Sequence, residues 1–215
     1  YPASLACIGS RCSQLSKWMR AVLVAASIHP IPREMRHMAI RIADVESESI
    51  VDGPGFRFAV YTQGCPHACP GCHNPQTHAF EGGKLVEPER LMKLLESEPL
   101  NTGVTLTGGE PFCQAAELAK FARLARAAGY GVWAYSGYTY EALTGADAPD
   151  GAADLLDCVD VLVDGPFVQA LSSYDAKWRG STNQRVIDVK RSKAAGKAVL
   201  WEEQSVLDAF QVPRD

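Results

Sequence analysis

From residue 39 onward the apolar positions fall into short β-branched or alternating runs, separated by stretches with a helical period. Ile40, Ile42 and Val45 mark a strand over residues 39–45. Phe56, Phe58 and Val60 alternate with Arg57 and Ala59 to give a second strand over residues 56–62. Residues 53–55, Gly-Pro-Gly, form the turn between them. Further strands are read at residues 104–107, 132–135 and 161–163. Pro88 opens a helix with Leu91, Leu94 and Leu95 on one face. Pro111 opens a longer one, in which Leu118, Phe121, Ala122 and Ala125 follow the i, i+3, i+4, i+7 spacing. Shorter helices are read at residues 140–143 and 152–158, and an edge strand at residues 198–201.

This strand–helix alternation predicts an α/β fold with a largely parallel sheet. Side chains that follow the strands then share one rim, at the strands' carboxyl ends. Four segments fall there: a cysteine-rich loop, Gly108-Gly109-Glu110, Ser136-Gly137 and Asp164-Gly165. The loop, residues 64–83, has no usable period, and loops of that length inside a domain usually carry function.

Composition narrows the classes. With 215 residues, 47% hydrophobic and 21% charged, the chain can bury the core of one domain. A formal net charge of −4 provides no electrostatic footprint for nucleic acid or an anionic membrane. No run reaches the roughly 18 apolar residues of a membrane helix. Seven cysteines, three of them within eight positions, look unlike a secreted disulfide framework. They suggest a metal site in a reducing compartment, hence the cytoplasm. Cys113 and Cys158 fall on predicted helices and are read as core thiols. Residues 1–37 are read as upstream sequence or a disordered leader, residues 38–201 as the functional domain, and residues 202–215 as a tail.

Cys65, Cys69 and Cys72 form a C-x3-C-x2-C loop. Thiolates are the usual protein ligands of iron–sulfur clusters, and a [4Fe–4S] cube ordinarily takes four. Three would leave one iron open to an external ligand. The same residues with His67 or His73 could instead hold a structural zinc. At Gly108-Gly109-Glu110, glycines let a backbone approach a ligand and the carboxylate can accept hydrogen bonds from an ammonium group. The segment also reads as an ordinary strand–turn–helix with Glu110 near a helix N-terminus.

Together, the cysteine loop and the Gly108-Gly109-Glu110-Pro111 turn resemble those of the radical S-adenosylmethionine enzymes. Residues 52–57, Asp-Gly-Pro-Gly-Phe-Arg, and 72–75, Cys-His-Asn-Pro, look like the activating enzymes of glycyl-radical proteins. Residues 132–138, 161–167 and 178–185 resemble the branch that activates anaerobic ribonucleoside-triphosphate reductases; pyruvate formate-lyase activases share only the first half. The resemblance implies an incomplete (βα) barrel. It also implies a [4Fe–4S] cluster on Cys65, Cys69 and Cys72, with S-adenosylmethionine chelating the fourth iron. Gly108, Gly109 and Glu110 would grip its amino group, and Gly71 and His73 would lie against the nucleoside. Gly71 stands where many members carry an aromatic residue. Ser136, Tyr138 and Asp164 are further candidate contacts at the rim, while Arg179, Asn183 and Gln184 would serve cofactor or partner, or tie down the last turn. The implied chemistry is reductive cleavage to methionine and a 5′-deoxyadenosyl radical, which takes hydrogen from a glycine of the reductase. A low-potential donor such as flavodoxin or ferredoxin would supply the electron.

Overall fold

A computed structural model describes residues 39–202. The expected leader, with Cys7 and Cys12, lies outside those residues, as does all of the expected tail beyond residue 202. The described chain folds into a seven-stranded sheet of order β3-β1-β2-β4-β5-β6-β7. Its strands are β1 (Ile40–Ser49), β2 (Arg57–Thr62), β3 (Lys84–Val86), β4 (Gly103–Gly108), β5 (Gly131–Tyr135), β6 (Val161–Asp164) and β7 (Arg185–Asp188). The four central strands, β2, β4, β5 and β6, run parallel. β1 and β3 extend one side antiparallel, and β7 closes the other in the same way. The sheet does not close on itself, which agrees with an incomplete barrel.

Among the described residues, five α-helices follow the strands: α1 (Pro88–Ser97), α2 (Ala115–Ala127), α3 (Tyr140–Thr144), α4 (Ala152–Leu156) and α5 (Val189–Ala195). Alternate strand residues point to opposite faces. Phe58, Val60, Val104, Leu106, Val132, Ala134 and Leu162 pack with Leu91, Leu95, Leu118 and Phe121 of the helices in the main core. Each fully buried Leu, Val or Phe contributes about 1.5–3 kcal/mol relative to exposure. Trp133, Val161 and Val163 face the other way, where Trp133 meets the rings of Trp178 and Trp201 edge-on at 6.1 and 5.2 Å. Both faces of these strands are covered, so their sequence runs apolar instead of alternating.

Several expectations change in detail. The longer helix begins at Ala115, because Pro111–Gln114 is a 3-10 turn. In α1 it is Met92 that joins Leu91 and Leu95 in the core, and Leu94 is exposed. Cys158 is a core thiol, but Cys113 is exposed. Residues 198–201 make only an isolated bridge, Ile187 with Leu200, instead of a strand.

Candidate functional site

The carboxyl ends of β2, β4, β5 and β6 open onto a cavity of about 540 Å³, within the range of small-molecule sites. Cys65, Cys69, Cys72, Gly108, Gly109 and Glu110 all line it, as do Ser136, Gly137 and Gly165. The expected rim therefore exists, with its segments around one space.

The cysteine loop leaves β2 and is tied back at once. Gly64 N–H donates to Thr77 O (2.8 Å) and Cys65 N–H to His78 O (3.0 Å). Ala68 has φ 44°, an uncommon conformation for a residue with a Cβ, which bends the chain between the first two thiols. Burial pushes the Cys65 thiol up. The backbone N–H groups of His67 and Ala68 pull it back down, and the nearby Glu110 charge opposes them. Such donors are among the levers that tune a sulfur-bound cluster. Among the described residues, no three His, Cys, Asp or Glu side chains stand as ligands of a single ion would. Thiolates on three different irons need not converge in that way. The donor set thus fits a cluster: three thiols line one cavity, and other residues lining it carry buried polar atoms without partners.

Those atoms are the donors Trp178 Nε1 and Arg179 Nε and the ring nitrogen His78 Nε2, all on cavity-lining residues. Unsatisfied buried donors are costly and often mark a ligand's place. Trp178 also holds φ 61°, a second uncommon backbone geometry beside the site. Neither Trp178 nor His78 stood out in the sequence as a contact. The signal available for Trp178 was its place in the Trp-Arg-Gly segment.

The Gly108-Gly109-Glu110 turn is shaped by the chain itself. A Cβ on Gly109 would lie 2.4 Å from Gly64 O, and one on Gly108 would lie 2.6 Å from Tyr61 Cα. Here the absent side chains let β4 press against the end of β2 and the start of the cysteine loop. Glu110 N–H donates to Gly64 O at 2.8 Å, locking the two segments together. The Glu110 side chain is fully buried. Its Oε1 accepts from Phe112 N–H and Ser136 Oγ, each at 3.0 Å. Its Oε2 accepts from Gly137 N–H at 2.8 Å and meets His67 Nε2 at 2.8 Å.

The remaining candidates divide. His73 lines the cavity and packs against Phe167, ring centroids 5.0 Å apart. Ser136 lines it too, with its hydroxyl given to Glu110. Gly71 turns with φ +72° against the side chain of Gln169 and is not among the lining residues. Gln184 lines the cavity and also braces the last turn: its Oε1 accepts from Gly180 and Ser181 N–H, and its Nε2 donates to Gly165 O. Asn183 is exposed and donates to Pro166 O. Arg179 spends Nη1 on Gln184 O and keeps Nε unpartnered.

Asp164 is engaged within the fold. Its buried carboxylate receives Tyr140 N–H at 2.7 Å and Arg185 Nε at 3.0 Å, and it does not line the cavity. The Asp164 carboxylate, then Glu141, hold the Arg185 guanidinium firmly protonated. Removing one partner from a buried pair leaves an uncompensated charge. Arg185→Ala is accordingly expected to lower stability by about 2 kcal/mol, below the full cost because Arg185 is partly exposed. A urea titration that shows no change in midpoint would contradict this.

Comparison with known proteins agrees with the geometry. Residues 51–187 match the family model described as a 4Fe-4S single cluster domain, so fold and site define a protein of that class. The chain is 34% identical to the anaerobic ribonucleoside-triphosphate reductase-activating protein of Escherichia coli (strain K12), over 64% of this chain and 91% of that protein. It is 32% identical to the protein of the same name from Enterobacteria phage T4, over 63% of this chain and 86% of that one. The chain belongs to the family of anaerobic ribonucleoside-triphosphate reductase-activating proteins. Among solved structures, QueE from Escherichia coli aligns with TM-score 0.45 at 16% identity, covering 63% of this chain and 76% of that one. Among the described residues, no helix is long and apolar enough to cross a membrane.

Proposed function

We propose that this chain is an activase. It would hold a [4Fe–4S] cluster on Cys65, Cys69 and Cys72, bind S-adenosylmethionine beside it, and generate a glycyl radical on an anaerobic ribonucleoside-triphosphate reductase. The observation that carries the proposal is the meeting of three thiols with a fully buried carboxylate on one cavity. When bound, the cluster supplies a low-potential electron for cleavage of the sulfonium carbon–sulfur bond, chemistry that belongs to the cofactor.

The chain's own residues bind and orient. Cys65, Cys69 and Cys72 hold three irons. Glu110 accepts from the ligand's ammonium group, with the β4 and β5 ends fixing its carboxylate. Trp178 Nε1 and Arg179 Nε offer donors to the ligand's acceptor atoms or to the incoming polypeptide. His73 and Ser136 complete the wall. Gly71, Asn183 and Gln184 shape the loops around this site. The electron donor is a low-potential protein such as flavodoxin or ferredoxin, and the setting is the cytoplasm, where thiols stay reduced.

The test pairs the reduced, cluster-loaded protein and S-adenosylmethionine with the reductase, and in parallel with pyruvate formate-lyase. A glycyl-radical electron-paramagnetic-resonance signal is expected on the reductase alone. A signal only on the lyase would reassign the partner.

A further inference from the structure

Glu110 has four protein donors on two oxygens, so an ammonium group that binds there must share or replace one of them. Two are backbone groups that cannot turn away: Phe112 N–H belongs to the 3-10 turn and Gly137 N–H to the turn after β5. The third, Ser136, has its oxygen anchored by Tyr138 N–H at 3.0 Å. The fourth, His67, rides on the cysteine loop beside the left-handed Ala68, and its side chain is 18% exposed. Its ring lies where a side chain at Gly137 would be: a Cβ there would come within 2.3 Å of His67 Cδ2. The ring of Tyr138 meets it edge-on at 4.6 Å.

We propose that His67 and the ligand's ammonium group compete for Glu110 Oε2, which makes His67 a positioning residue that sets ligand affinity. The inference rests on reading the cavity as an S-adenosylmethionine site. His67 lies between Cys65 and Cys69, so its release from Glu110 would be felt directly in the loop that carries the first two thiols. An imidazole N–H on a carboxylate is a charge-assisted hydrogen bond, and the ligand must overcome it before gaining its own.

The experiment is equilibrium dialysis of cluster-loaded protein under anaerobic conditions with two probes. S-adenosylmethionine carries the ammonium group; 5′-methylthioadenosine has the nucleoside and thioether but no amino acid. His67→Ala is expected to bind S-adenosylmethionine with a Kd about tenfold lower than the unaltered chain, the scale of one net hydrogen bond. Its Kd for 5′-methylthioadenosine should stay unchanged. His67→Phe keeps a ring against Tyr138 without an N–H and should tighten binding in the same way. His67→Gln restores a donor and should return affinity to that of the unaltered chain.

Unchanged or weaker S-adenosylmethionine binding in both His67→Ala and His67→Phe would overturn the competition, as would equal tightening for both probes or for His67→Gln. If the unaltered chain binds S-adenosylmethionine and His67→Ala is no tighter, only the competition fails. An unaltered chain that does not bind S-adenosylmethionine would overturn the cavity reading and the competition together.

Discussion

The single substitutions Cys65→Ser, Cys69→Ser and Cys72→Ser are each expected to yield colourless protein. Each should release less than about 1% of the unaltered chain's 5′-deoxyadenosine from S-adenosylmethionine. Serine keeps the size of the side chain but replaces a soft thiolate with a hard, weakly acidic hydroxyl, and a cluster left with two thiolates is not retained. The three thiols line one cavity and the loop that holds them is tied to residues 77 and 78. The expected loss is therefore of ligand and not of fold, and circular dichroism should match the unaltered chain. Cys113→Ser provides the contrast. That thiol is exposed on the 3-10 turn and does not line the cavity, so brown colour and iron content should be retained. Loss of iron in Cys113→Ser together with retention in Cys69→Ser would show that the ligand set is misassigned.

Glu110→Gln is expected to weaken S-adenosylmethionine binding about 100-fold and to lower stability by about 2–3 kcal/mol. The reasoning is geometric. The amide NH2 must replace either Oε1 or Oε2. On one side it faces Phe112 N–H and on the other Gly137 N–H, and neither backbone donor can turn into an acceptor. Ser136 can rotate its hydroxyl and His67 can change tautomer, but one backbone N–H is orphaned either way. The ligand's ammonium group also loses the carboxylate charge. Dialysis of the cluster-loaded variant measures the first effect and a urea titration of the same protein the second. Unaltered affinity in a folded Glu110→Gln protein would remove this carboxylate from the ammonium site.

Much of this candidate site was legible from spacing because its residues come in short, chemically distinctive runs. Cys65, Cys69 and Cys72 are local, and the glycines before Glu110 are adjacent in sequence. What sequence could not give were contacts between distant segments. His67 and Glu110 stand 43 positions apart, and only the folding of the cysteine loop over β4 and β5 brings them together. Gly108 and Gly109 read as places for a ligand to approach, whereas the contacts that demand glycine come from β2 and the cysteine loop. Asp164 looked like Ser136, a polar residue at a strand end before glycine. Arg185, on the neighbouring antiparallel strand, turns its carboxylate to a structural task.

In the fold, the parallel strands were readable from their β-branched runs and the helices from their period. β3 and β7, at three and four residues, are too short to show alternation, and α5 lacks a long apolar stripe. The helix expected at Pro111 began four residues late, at Ala115, because the intervening 3-10 turn carries Phe112 N–H back to the Glu110 side chain.

The most direct measurement is anaerobic. Purified, iron-loaded protein is reduced with a strong one-electron donor, mixed with S-adenosylmethionine, and assayed for 5′-deoxyadenosine and methionine alongside its metal content. The account predicts a brown, oxygen-labile protein with close to four irons and four sulfides per chain that releases both products in equal amounts. A colourless protein holding one zinc per chain and leaving S-adenosylmethionine intact would contradict it.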